Sequence, residues 1–93
     1  MHNIKIKEIK NDLYNVEIEG IKKTSHYIKI SDSYYIYLTK KKITKKELLE
    51  FSIFFLLDRE KNTSILASFE LGLICEFFND YEKEVSKWLL NLS

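Results

Sequence analysis

The residue types that carry catalysis are sparse in this chain. Nucleophilic chemistry needs a Ser, Cys or Thr beside a base that a third group orients, yet the histidines are His2 and His26 and the one cysteine is Cys75. His2 lies at the N-terminus. His26 falls inside "HYIKI", which alternates like a strand, and Cys75 sits in "LICEFF", a setting for a small buried hydrophobe. Two histidines and one cysteine lack the spacing of a zinc finger or ribbon. Gly20 and Gly72 stand too far apart to form a phosphate loop. Carboxylate pairs such as Glu82 and Glu84 read as a solvated helix face. We therefore expect no enzyme, no catalytic residue, no metal and no cofactor.

Binding chemistry is better represented. Lys40, Lys41, Lys42, Lys45 and Lys46 cluster beside Thr44, which looks like the start of a helix. Lysines there oppose the positive end of the helix dipole. An anion gripped by free N–H groups and lysines together would relieve both effects. A solvated loop is the plainer reading. Arg59 is the one arginine among fifteen basic side chains. Such a position suggests a planar fork gripping a carboxylate, supplied either by a following helix or by a partner.

These residues need elements to hold them. "NIKIKEI" and "LYNVEIEG" alternate polar and apolar side chains with period two, predicting strands over 3–9 and 13–19 joined by a turn at 10–12. "HYIKI" gives a third strand, with His26, Ile28 and Ile30 on one face and Tyr27 and Lys29 on the other. "SDSYYIYLT" carries strand-favouring aromatics, but Ser31 or Asp32 can cap a short helix with Tyr34, Tyr35 and Leu38 inward; the helix is preferred. "TKKE" at 44–47 is a capping box opening a helix to about Glu60, broken by "KNTS". "SILASFELGLICEFF" reads as one or two short helices interrupted near Phe69 and Glu70. A last helix begins at Asn79 or Asp80, with Val85, Trp88, Leu89 and Leu92 on one face.

The helix after Thr44 is apolar over about twice the width of an ordinary core-facing stripe. At about 100° per residue, Phe54 lands about 240° from Leu48, among Glu47, Glu50 and Asp58, with Leu57 at the border. Either the helix is central, wrapped by sheet on one side and later helices on the other, or another chain covers part of it. Phe54, Leu57 and Arg59 are thus the candidate contacts for a partner or a dimer mate.

The net charge of +1 conceals an uneven distribution, with an excess of lysine before residue 47 and of acid after it. Lys outnumbers Arg fourteen to one and proline is absent, a bias that an AT-rich genome would also produce. At 93 residues the chain is long enough for one stapleless domain, 1–93, with a hairpin and third strand in 1–30 and a helical part in 31–93. The N-terminus does not resemble a signal peptide. No apolar run approaches the roughly twenty residues of a membrane span, so a cytoplasmic, non-membrane protein is expected. There are no repeats or low-complexity linkers.

The stretches "ISDSYYIYL", "ITKKELLEFSIFFLLDRE", "SILASFEL" and "FFNDYE" resemble a small, uncharacterised family of bacterial proteins over roughly residues 28–81. That family tends to carry proline at the position of Asn79 and arginine at several lysines. The resemblance implies that "FLLDRE" and "SILASFEL" belong to one folding unit. The order "HYIKI", "SDSYYIYLTK", "ITKKELLEFSIFFLL" is also similar to ribbon–helix–helix DNA-binding proteins. That second likeness implies base contacts from Tyr27 and Lys29, phosphate contacts from Thr44 and Lys45, and a strand paired with a dimer mate. Against it, about 25 residues precede the strand and over 30 follow the second helix.

The expected fold is α+β: a short antiparallel sheet of about three strands followed by three or four helices. The expected function is a non-catalytic protein–protein interaction or accessory module, self-associating, with loop 40–46 steering an acidic partner. The alternative is a DNA-binding regulator using the third strand and that loop.

Overall fold

A computed structural model describes residues 3–92. Its strands are β1 (Asn3–Lys10), β2 (Leu13–Glu19), β3 (Lys23–Lys29) and β4 (Ser68–Glu70), and its α-helices are α1 (Asp32–Thr39), α2 (Lys45–Leu57), α3 (Ile74–Phe77) and α4 (Tyr81–Asn91). The sheet order is β1-β2-β3-β4. β1, β2 and β3 form an antiparallel meander, while β4 lies parallel to β3. The α+β class therefore holds, but the sheet is mixed and has four strands.

The alternation in the sequence sets the meander. Ile4 and Ile6 lie opposite Ile18 and Val16, and Tyr14 and Val16 lie opposite Ile28 and His26. One face thus collects the apolar side chains, with Val16, Ile18 and Ile28 fully buried. The first turn is tighter than expected: β1 runs on to Lys10 through a bulge between Glu8 and Lys10, and Asp12 takes a left-handed φ of 68°. The third strand begins three residues before "HYIKI".

β4 corrects the helical reading of "SILASFEL". Three residues are too few for an alternation to show, and short apolar runs do not distinguish strand from helix. What places β4 is pairing: the Tyr27 amide donates to the Ala67 carbonyl at 2.8 Å, and Phe69 lies beside Ile28. A parallel pair needs a long crossover, which residues 30–67 supply as α1 and α2. Short 3-10 turns at Asn62–Ser64 and Leu71–Leu73 bracket the strand.

The helix starts follow local chemistry. Ser31 Oγ accepts from the Tyr34 amide at 3.3 Å and caps α1. At α2 both halves of the capping box form: Thr44 Oγ1 accepts from the Glu47 amide at 3.1 Å, and Glu47 Oε1 accepts from the Thr44 amide at 2.9 Å. α2 ends at Leu57, before Glu60. In α4, Val85 and Leu89 are buried and Trp88 is half-buried, joined by Tyr81. Leu92 instead lies past the last turn, 55% exposed.

α2 is the centre of the fold. Leu48, Leu49, Ile53 and Leu56 share the core cluster with Val16, Ile18 and Ile28 of the sheet. On its other side Phe51 stacks on Trp88 at 4.6 Å, and Phe55 meets Tyr81 and Phe78 edge-on at 5.2 and 5.9 Å. Two covered sides explain the double-width apolar surface. The radius of gyration of 12.6 Å is close to the ~12 Å of a compact chain of this length. Among the described residues, no helix is long and apolar enough to cross a membrane.

Candidate functional site

Phe54 is the phenylalanine of α2 that the fold leaves in water, at 53% exposure. It projects between two shallow depressions. One is shared with Ile4, Ile6, Lys46 and Glu50, the other with Phe51, Leu57, Asp58 and Arg59. Leu57 is half-buried and borders a third depression with Ile21, which is fully exposed. Phe54 and Leu57 thereby lie on a band of three depressions between the edge strand β1 and the turn after β2, with charged residues such as Lys46, Glu50, Asp58 and Glu60 interleaved.

Arg59 is engaged within its own chain. Its Nη2 donates to Asp80 Oδ2 at 2.8 Å, its Nη1 donates to the Phe55 carbonyl at 3.1 Å, and its guanidinium lies 3.6 Å from the Phe55 ring centroid. A planar fork suits this combination of carboxylate, carbonyl and ring face. Arg59 therefore borders the Phe54 surface while fastening α2 to the start of α4.

The lysine cluster divides. Lys45 turns inward and bridges Asp12 of the first turn and Asp32 of α1, beneath the Tyr35 ring. Burial works against its charge, but its hydrogen bonds to the two carboxylates outweigh this and hold its pKa above the ordinary value. The bond to Lys45 pulls Asp32 below its own. Lys40, Lys41 and Lys42 stay exposed in the α1–α2 turn. Lys40 and Lys41 both adopt left-handed φ values, 51° and 63°; Thr39 anchors the turn by accepting from the Lys41 amide at 3.1 Å. Lys46 is exposed beside Phe54. At the start of α2 the Glu47 carboxylate accepts from the Thr44 amide and sets a negative charge of the chain's own there.

Tyr27 and Lys29 are exposed, on the side of β3 opposite the buried His26 and Ile28. β3 is paired with β2 on one side and, at residues 27–29, with β4 on the other. No edge is free there for a mate's strand.

The groups that looked chemical prove to be internal ties. The carbonyl of Leu66 can only accept, so His26 Nδ1 donates to it at 2.7 Å and Nε2 accepts from the Thr24 hydroxyl at 2.8 Å. Asn62 Nδ2 donates to Thr24 Oγ1 and to the Lys22 carbonyl, both at 2.9 Å. This network fastens 62–66 to β3 and so positions β4. Cys75 donates to the Gly72 carbonyl at 3.0 Å. Among the described residues, no three His, Cys, Asp or Glu side chains gather as a metal site. Sequence reasoning passed over Asn62; its one signal was a polar residue within the "KNTS" break.

The chain matches no protein-family model, no curated protein and no solved structure.

Proposed function

We propose that this chain is a non-catalytic protein–protein interaction module whose recognition surface is centred on Phe54 and Leu57. The observation that carries the reading is Phe54: the other two phenylalanines of α2 stack on the chain's own aromatics, while this one stays half in water. Covering the exposed half of the ring, 53% by relative area, is worth roughly 1 kcal/mol to whatever covers it. Exposed lysines 40–42 and 46 would draw an acidic partner towards it. A second copy is one partner the surface could take, contributing two such rings.

Peptide selection against the folded chain tests the reading without naming a partner. Ligands should converge on the band and lose binding in the Phe54→Ser and Leu57→Ser variants. Ligands converging elsewhere, for instance on the cleft that Leu56, Leu66, Phe69, Ile74, Phe77 and Phe78 line, would refute it. Sedimentation across a concentration series tests self-association: a rise above the 11.2 kDa monomer that Phe54→Ser abolishes is expected if the partner is a copy. The rival is a DNA-binding regulator, favoured by the exposed Lys40–Lys42. It requires duplex binding that falls steeply with salt and weakens in Lys41→Ala with Lys42→Ala.

A further inference from the structure

We infer that the free edge of β1, beside Phe54, receives an extended acidic segment of a protein partner as a fifth strand. This rests on the reading of Phe54 as the centre of the recognition surface and adds what lies against it. Among the described residues β1 is the end strand of the sheet and pairs with β2 alone. An end strand presents a row of backbone N–H and C=O groups that another strand can complete.

The side chains on either face of that edge specify the guest. Towards the helices, Ile4 and Ile6 are half-buried and line an open depression of about 430 Å³ with Phe54, its rim made polar by Asn3, Lys5, Lys46 and Glu50, so that apolar guest side chains would meet Ile4, Ile6 and Phe54 while the rim meets polar ones. On the opposite face Lys5 and Lys7 are exposed, and among the described residues neither makes an ion pair. Glu17 lies across from Lys5 but is drawn to Lys23 at 3.8 Å. The chain already shows what suits β1 on its inner side: Ile18 and Val16 oppose Ile4 and Ile6, and Glu17 opposes Lys5. A guest alternating apolar with acidic residues repeats that chemistry on the open side.

Charge also chooses between occupants. The outward residues of β1 are Asn3, Lys5 and Lys7, so a second copy paired antiparallel edge to edge would set lysine against lysine, which destabilises a cross-strand pair. Of the acids around this edge, Glu8 stands on β1 itself and Glu50 lines the depression together with Lys46. The bulge between Glu8 and Lys10 limits the usable edge to residues 3–8.

The test uses the intact chain, isotope-labelled for NMR, with three capped peptides of about eight residues: valine alternating with glutamate, valine alternating with lysine, and the first composition in scrambled order. The inference expects the glutamate peptide to bind, to slow exchange of alternate β1 amides and to shift the Phe54 ring. Binding should weaken about tenfold in the Lys5→Glu, Lys7→Glu double variant. Equal binding of the lysine peptide, no binding of the glutamate peptide, or protection confined to other elements would overturn it. If Phe54 responds to a peptide while β1 exchange does not, the strand is wrong and the Phe54 surface survives. If neither responds, both fall.

Discussion

Three polar side chains decide more of this fold than their number suggests. Asn62, Thr24 and His26 form one hydrogen-bonded relay, with Asn62 and His26 buried at 5% and 2% exposure. Truncating Asn62 removes its two 2.9 Å bonds to the Thr24 hydroxyl and to the Lys22 carbonyl, each worth about 0.5–1.5 kcal/mol. Asn62→Ala should therefore lose about 2 kcal/mol in urea unfolding and expose the Tyr27 amide, which is bonded to Ala67, to faster hydrogen exchange. None of this was legible beforehand, because a hydrogen bond spanning 38 residues from Asn62 to Thr24 leaves no local pattern. The alternation did show that His26 faces inward with Ile28 and Ile30. Buried Tyr81 is a similar case: Ser52 donates to the Leu48 carbonyl, so the phenol must donate to Ser52.

Elements were legible where local chemistry defines their ends. The capping box at Thr44 is a contact between neighbours in the chain, so it can be read directly. Thr44→Ala removes half of it and should cost about 1 kcal/mol by thermal or urea unfolding. β4 was not legible, because its three residues become a strand only once α1 and α2 have carried the chain back to β3. The double width of α2 was visible in sequence, and its cause, cover on two sides, is a property of the assembled layers. Arg59 is part of that assembly. Arg59→Lys keeps the charge but cannot keep carboxylate, carbonyl and ring face at once, so it should destabilise by about 1 kcal/mol. The loss should appear first as faster amide exchange in α4.

At the scale of the molecule, several raised pKa values point one way. Burial, with a smaller contribution from the Glu8 charge, raises Tyr14; burial, then the bond to Glu82, raises Tyr34 far more; burial raises Tyr81 strongly. Lys45 is raised by its two carboxylates against the opposing effect of burial. A group whose pKa is higher folded than unfolded contributes its stability below the unfolded value and loses it as pH climbs. These contributions are intact below the ordinary tyrosine value of 10.0 and fail above it. Unfolding free energy should thus drop steeply above about pH 10, Tyr81 alone contributing a slope of about 1.4 kcal/mol per pH unit. Tyr81→Phe should flatten that limb. Asp32 behaves in the opposite sense: Lys45 lowers its pKa, so its contribution holds above 3.8 and is lost as the pH falls.

The same scale holds the central claim, that α2 satisfies its oily surface within the chain except at Phe54, which is left for a partner. The most direct measurement is the urea unfolding free energy of Phe54→Ser set beside that of Phe55→Ser. A surface held for a partner predicts a change within about 1 kcal/mol for Phe54, against several kcal/mol for the ring packed on Tyr81, Phe78 and Arg59. A loss at Phe54 as large as that at Phe55 would mean that its ring serves the fold, and would contradict the account.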